Sequence, residues 1–160
     1  PIFTNTKGMF LQTIYHPLRL YAEHTRAVAL DVHVDTPRHD LPAGLEERTF
    51  GRVHHVADLG PFPLLDAVAT CDEGGRELTI GVVNRDRDRS HAATIDLSGA
   101  MATGELHVSE VNGPDVGATN SFEHPDRVGV REHRRPAAGH RLEYEFPAHS
   151  VSVLRVHLAL

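Results

Sequence analysis

The chain has 160 residues, 40% hydrophobic and 24% charged, an ordinary balance for one globular domain or one domain with an appendage. A net charge of −6 argues against a nucleic-acid surface, and no apolar run approaches the ~20 residues that cross a bilayer, so neither nucleic acid nor membrane is an expected partner. The single cysteine, Cys71, excludes an intrachain disulfide and favours a reducing, cytoplasmic compartment.

The opening Pro1-Ile2-Phe3-Thr4-Asn5 lacks an initiator Met and the charged and apolar regions of a signal peptide. It reads as the end of a buried strand whose sheet partners lie elsewhere, and so as a cut inside a larger protein. Leu11, Ile14, Tyr15, Leu18, Tyr21 and Ala22 then follow the i, i+3, i+4 rhythm of an apolar helical stripe. Pro17 predicts a kink or a helix start, and the helix should end near Thr25. Uncovered, that stripe is a large apolar patch. Either the helix folds back on the rest of the chain or copies of the chain associate through it as a homo-oligomer.

From Val28 the period changes to two. Val28, Leu30, Val32 and Val34 alternate with Ala29, Asp31, His33 and Asp35, which predicts a half-buried strand. Residues 36–48 read as a loop and 50–57 as a strand. Strands at 64–71 and 77–84 flank the turn Asp72-Glu73-Gly74-Gly75, a strong hairpin signal. Arg85 to Ser90 reads as a charged tip. Further strands are predicted at 92–97 and 104–111, then a long loop from Asn112 to Asp126 and a weak strand at 128–133. Leu142, Tyr144 and Phe146 alternate with charged residues on a strand. In the last strand Val151 and Val153 give way to Leu154, Val156 and Leu158, one residue out of phase. A β-bulge near Val153-Leu154 would turn both sets to one core. About eight short strands make the fold mainly β, an antiparallel β-sandwich.

Few residues carry a chemical signal. Asp31, His33 and Asp35 share one strand face at a spacing that suits metal ligands, but no fourth ligand accompanies them, and a solvated outer face explains them better. His54-His55 would point to opposite faces of a strand and cannot chelate together. Glu46-Glu47, Glu73, Glu105, Glu110, Glu143 and Glu145 fall at tips, edges or polar faces. None sits in the apolar pocket that keeps a glycosidase acid protonated. Cys71 ends an apolar strand and reads as core. Sugar-binding sandwiches usually stack ligands on exposed Trp and Tyr. This chain has no Trp, and Tyr15, Tyr21 and Tyr144 all fall on helix-stripe or core positions.

Several segments resemble, in order and spacing, the C-terminal region of α-L-arabinofuranosidases of glycoside hydrolase family 51. Pro1-Ile2 and Gln12-Thr13-Ile14-Tyr15-His16-Pro17 look like the end of that family's (β/α)8 barrel. Leu65-Asp66-Ala67-Val68-Ala69-Thr70 with Val83-Asn84-Arg85 looks like its sandwich hairpin. Asn120-Ser121-Phe122-Glu123 with Pro125, and the run from Phe146 to Leu154, look like its closing segments.

The resemblance implies that residues 1–26 are the last strand and helix of a (β/α)8 barrel and that 27–160 form a jelly-roll β-sandwich. It further implies a retaining parent enzyme. Such an enzyme removes terminal α-L-arabinofuranosyl residues from arabinose-containing glycans, using an acid/base and a nucleophile glutamate ~5–5.5 Å apart. Both glutamates would belong to the N-terminal barrel, the expected partner of this domain, so no catalytic residue, metal or cofactor is expected here. One substrate contact carries over. Gln12 holds the position of a glutamine that reaches the arabinose site, although Phe10-Leu11 stands where many members have Trp-Arg; read without the resemblance it is a helix-surface amide. The chain then reads as a non-catalytic accessory domain, with a stand-alone arabinan- or arabinoxylan-binding module as the alternative.

Overall fold

The computed structural model describes residues 1–40 and 61–159, with residues 49–50 and 54–55 described as strands only. The opening segment is a hairpin, β1 (Ile2–Asn5) paired antiparallel with β2 (Gly8–Leu11). Its turn is built by Asn5, whose Oδ1 accepts the backbone N–H groups of Lys7 and Gly8 at 2.7 and 3.0 Å. That side chain folds the chain back at once. The strand predicted at residue 2 therefore has a local partner and is not buried: Ile2, Phe3 and Met9 are exposed.

Helix α1 (Tyr15–His24) ends at Thr25 as expected, with the Thr25 N–H donating to the Tyr21 carbonyl at 3.0 Å. Pro17 lies in its first turn, where a missing N–H breaks no helical bond. The predicted stripe is split: Tyr21 packs on the sheet, and Ile14 and Leu18 stay uncovered. His16 and Leu20 are the buried pair, while Ile14 and Leu18 point outward. This helix has apolar residues on two sides, and a 3.6-residue rhythm cannot say which of them the sheet will take.

The remaining strands run in chain order. After α1 come β3 (Val28–Leu30), β4 (Arg38–His39), β5 (Thr49–Phe50), β6 (His54–His55) and β7 (Phe62–Pro63). The longer ones follow: β8 (Leu65–Cys71), β9 (Glu77–Asn84), β10 (His91–Asp96) and β11 (Met101–Asn112). The last are β12 (Gly129–Pro136), β13 (Arg141–Phe146) and β14 (Val151–Ala159). Six of them form one antiparallel sheet in the order β12-β11-β14-β9-β8-β3. A two-stranded ribbon, β10-β13, packs on one face of it. Two short ladders, β4-β7 and β5-β6, complete the pairing. The fold is thus the predicted antiparallel β-sandwich.

Strand β3 stops at Leu30, short of the predicted 28–34, because only Cys71, Thr70 and Ala69 face it across the ladder. Beyond it Val34 still packs on the core without a strand partner. The strand expected over 50–57, the facing of His54-His55, and most of the 36–48 loop lie largely outside the described residues.

The sheet is covered on both faces. Leu78, Ile80, Val82, Leu106, Val108, Leu154 and Val156 meet Leu142, Tyr144 and Phe146 of the ribbon in the main core. On the opposite face Val111, Val128 and Val153 receive Leu20 of α1. No bulge is needed in β14. Its ladder with β9 runs without a break from Val151↔Val83 to His157↔Glu77. Val151 and Val153 face the helix side, and Leu154 and Val156 face the ribbon. The two sets therefore do not share one core: Leu154 joins Leu142, Tyr144 and Phe146, while Val151 packs on the helix side. The irregularity is in β11, where the register with β14 shifts between Thr103 and His107. Gly104 sits there at φ +80°, a conformation suited to glycine, and its carbonyl accepts the Ala137 N–H at 2.9 Å.

Candidate functional site

Gln12 follows β2 and precedes α1. Its N–H donates to the Pro1 carbonyl at 2.8 Å, and its own carbonyl accepts the Tyr15 N–H at 2.8 Å. The backbone is therefore fixed on both sides by the hairpin and the helix. The side chain is half-buried, and among the described residues its amide has no hydrogen-bond partner. A free carboxamide offers one acceptor and two N–H donors, which suits a neighbouring pair of hydroxyl groups.

A distant loop holds the same segment. Asn120 is 5% exposed. Its Nδ2 donates to the Leu11 carbonyl and the Val128 carbonyl, each at 2.8 Å, while its Oδ1 accepts the Val128 N–H at 2.8 Å. Two residues on, the Phe122 ring meets Phe10 edge-on at 4.8 Å, and Phe10 stacks on Phe3 at 5.2 Å. The residues from Phe10 to Gln12 are thus clamped against the sandwich by the 120–122 loop.

Behind this point α1 seats on the sheet. Tyr21 lies against Gly81, where an added Cβ would stand 2.6 Å from Cε1 of its ring. Burial raises the phenol's pKa, and the Asp66 carboxylate adds to the rise. His16 is buried beneath the first turn with neither ring nitrogen hydrogen-bonded among the described residues, and burial, reinforced by Arg19, holds its pKa below the ordinary imidazole value. Arg26 closes the far end of the helix with a two-pronged ion pair to Glu77, at 2.7 and 3.1 Å.

The predicted charged tip at 85–90 is an ordered corner. Asn84 is 2% exposed, and its Nδ2 lies 2.8–3.1 Å from the carbonyls of Arg89, Phe146 and Pro147. Asp86 Oδ1 accepts the Asp88 and Arg89 N–H groups, each at 3.1 Å, and Oδ2 meets His91 Nε2 at 2.9 Å. The Asp88 N–H first, then His91 and the Arg89 N–H and guanidinium, bring its pKa down to about 2 despite desolvation. The sequence hides this role, because six charged or polar residues in a row look like solvent-exposed surface. The Val83-Asn84-Arg85 segment was the available signal.

The other candidates fall apart as a site. Asp31, His33 and Asp35 are exposed and lie beyond β3. Among the described residues no three His, Cys, Asp or Glu side chains are grouped to hold a metal ion. Glu73, Glu105, Glu143 and Glu145 are exposed as expected, and Glu46-Glu47 lie outside the described residues. Glu110 departs from expectation. It is 8% exposed and accepts the Tyr144 hydroxyl at 3.2 Å, which adds to the burial that raises the phenol's pKa. Its buried place follows from β11 lying inside the sheet, paired on both sides. Cys71 is buried, as its strand position predicted. No described helix is long and apolar enough to cross a membrane.

Comparison with known proteins follows the same lines. The family model for the α-L-arabinofuranosidase C-terminal domain matches residues 1–150. A probable α-L-arabinofuranosidase C of Aspergillus niger is 31% identical over 160 residues, covering 99% of this chain and 28% of that protein. The crystal structure of an α-L-arabinofuranosidase from Thermotoga maritima in complex with arabinose superposes with a TM-score of 0.79 at 25% identity, over 98% of this chain and 31% of that one. The family 51 enzyme of Thermotoga petrophila gives 0.81 at 25% identity, over 97% and 31%. The chain spans less than a third of each.

Proposed function

We propose that this chain, which belongs to the α-L-arabinofuranosidase C-terminal domain family, serves as the accessory sandwich of a retaining α-L-arabinofuranosidase and lends Gln12 to its active site. On this reading residues 1–26 complete the (β/α)8 catalytic domain. The exposed Ile2, Phe3, Met9, Ile14 and Leu18 are the apolar surface by which hairpin and helix seat against it. The observation that carries the proposal is the tethering of Gln12: its backbone is bonded on both sides, while its amide has no partner among the described residues. That amide hydrogen-bonds sugar hydroxyls of the terminal arabinofuranosyl unit.

Chemistry stays with the parent's two glutamates. A retaining pair needs one carboxyl as nucleophile and another as acid/base at short range. The described glutamates here are solvated at strand faces and tips, or, for Glu77 and Glu110, engaged with Arg26 and Tyr144. Their role is structural, and the substrate class follows the parent: arabinose-containing polysaccharides and oligosaccharides.

The test is hydrolysis of an aryl α-L-arabinofuranoside by the 160-residue chain and by the full-length enzyme. The chain alone should release no nitrophenol, and Gln12→Ala in the full-length enzyme should lower kcat/KM by roughly tenfold or more. Turnover by the chain alone, abolished by replacing one of its glutamates, would overturn the accessory reading.

A further inference from the structure

We infer that Asn120, assisted by Phe122, is a positioning residue for Gln12, so that the sandwich and not the hairpin alone sets the aim of the substrate-contacting amide. The inference rests on the proposed contact between Gln12 and the arabinofuranosyl unit. Its ground is a set of contacts spanning 109 residues of sequence: Asn120 Nδ2 donates to the carbonyl of Leu11, the residue directly before Gln12.

Asn120 could have been satisfied locally. Its bonds to the Val128 N–H and carbonyl already close the 120–128 loop. The third bond adds nothing to that loop and fixes the exit of β2 instead. The hairpin by itself is a weak support, since a two-stranded ribbon is marginal in water. Its aromatic hold on the sandwich is Phe122 against Phe10, two residues ahead of Gln12. A hydrogen-bonding group must be held within about half an ångström to discriminate a transition state. The apolar seat holds the outer face of the hairpin, and the Asn120 bond holds the carbonyl directly before Gln12.

Asn120→Asp separates the bonds. An aspartate keeps the acceptor for the Val128 N–H and loses both Nδ2 donations, including the one to Leu11. The measurement is a double-mutant cycle in the full-length enzyme: wild type, Gln12→Ala, Asn120→Asp and the double variant, each assayed for kcat and KM on an aryl arabinofuranoside, with thermal midpoints in parallel. Asn120→Asp should lower kcat/KM by roughly 10- to 100-fold, through the same parameter that Gln12→Ala changes. In the Gln12→Ala background it should cost nothing further.

Equal fold-losses in both backgrounds, or a lowered midpoint with unchanged kinetics, would mean that Asn120 only supports the fold, and would overturn the inference while leaving Gln12 in place. Wild-type kinetics for Gln12→Ala would instead remove the substrate contact, and the inference with it. If Asn120→Asp does not fold, Phe122→Ala carries the same cycle. Phe122 is 40% exposed, so its removal spares the core. Its loss should be smaller and still absent without Gln12, and an additive loss overturns the inference.

Discussion

Replacing Gly81 by alanine tests whether α1 is seated on the sheet through Tyr21. The new methyl group would lie 2.6 Å from Cε1, 2.8 Å from Oη and 3.0 Å from Cζ of that ring. Carbon atoms rest at about 3.5–4.0 Å, so the ring must retreat by about 1 Å. Leu20 and His24 on the helix and Val68 and Thr70 on the sheet line a small open pocket beside it. Overpacking of this kind costs about 1–3 kcal/mol. Against it stands the lower conformational entropy of alanine in a strand, worth about 0.5–1 kcal/mol. The net expectation is a loss of about 1–2 kcal/mol. With Tyr21→Ala the obstacle disappears, and Gly81→Ala should then stabilise by about 0.5–1 kcal/mol. The sign of one substitution thus reverses with the identity of a residue 60 positions away in sequence. Urea midpoints of the four proteins give the result. The same destabilisation in both backgrounds would mean that Tyr21 does not lie on Gly81, and that the helix is not docked as described.

Phe146, 1% exposed and 4.9 Å from the Tyr144 ring, should cost roughly 3–5 kcal/mol when cut to alanine, while the exposed neighbour Glu145→Ala should stay within about half a kcal/mol. Equal urea midpoints for the two would put the strand register in error. Asp86 has a folded pKa of about 2, below its ordinary 3.8, so its contribution is complete above about pH 4 and is lost as the pH falls towards 2. That contribution is roughly 2 kcal/mol, and Asp86→Asn should flatten the stability profile in this window. An unchanged acid limb in the variant would count against the corner network.

The sequence made the strands of the sandwich legible where one face met water. Arg141–Phe146 alternates strictly because one side of the ribbon is solvated, and β13 forms over those residues. Strand β14 misled because both its faces are buried. Two apolar sets one residue apart look like a bulge until the helix on the far face is known. The same blindness left the two apolar sides of α1 undistinguished: His16, Leu20 and Tyr21 take the sheet and Leu18 stays outside, since the choice is made by a surface assembled from β9, β11 and β14. Gln12 was placed by resemblance alone, because nothing in its local pattern marks it. Asn120 and Asp86 are polar residues in loops, and their importance lies in partners that sequence spacing does not reveal. The Asx turn at Asn5 was in principle readable, and would have turned one buried strand into a hairpin.

The position of β14 bears on how the protein is made. It is made after the other five strands of the six-stranded sheet, yet it lies inside that sheet, between β11 and β9. Until it emerges from the ribosome, the nascent chain can hold β9-β8-β3 and β12-β11 only as separate pieces, each with an open edge where β14 belongs. Those edges and the apolar faces beside them are surfaces on which unfinished β proteins aggregate. Joining them through a final strand also places the longest-range contacts at the end of folding, where closure is slowest. Synthesis halted a few residues before Val151 would therefore yield two unjoined half-sheets and an uncovered core, not a slightly shorter domain.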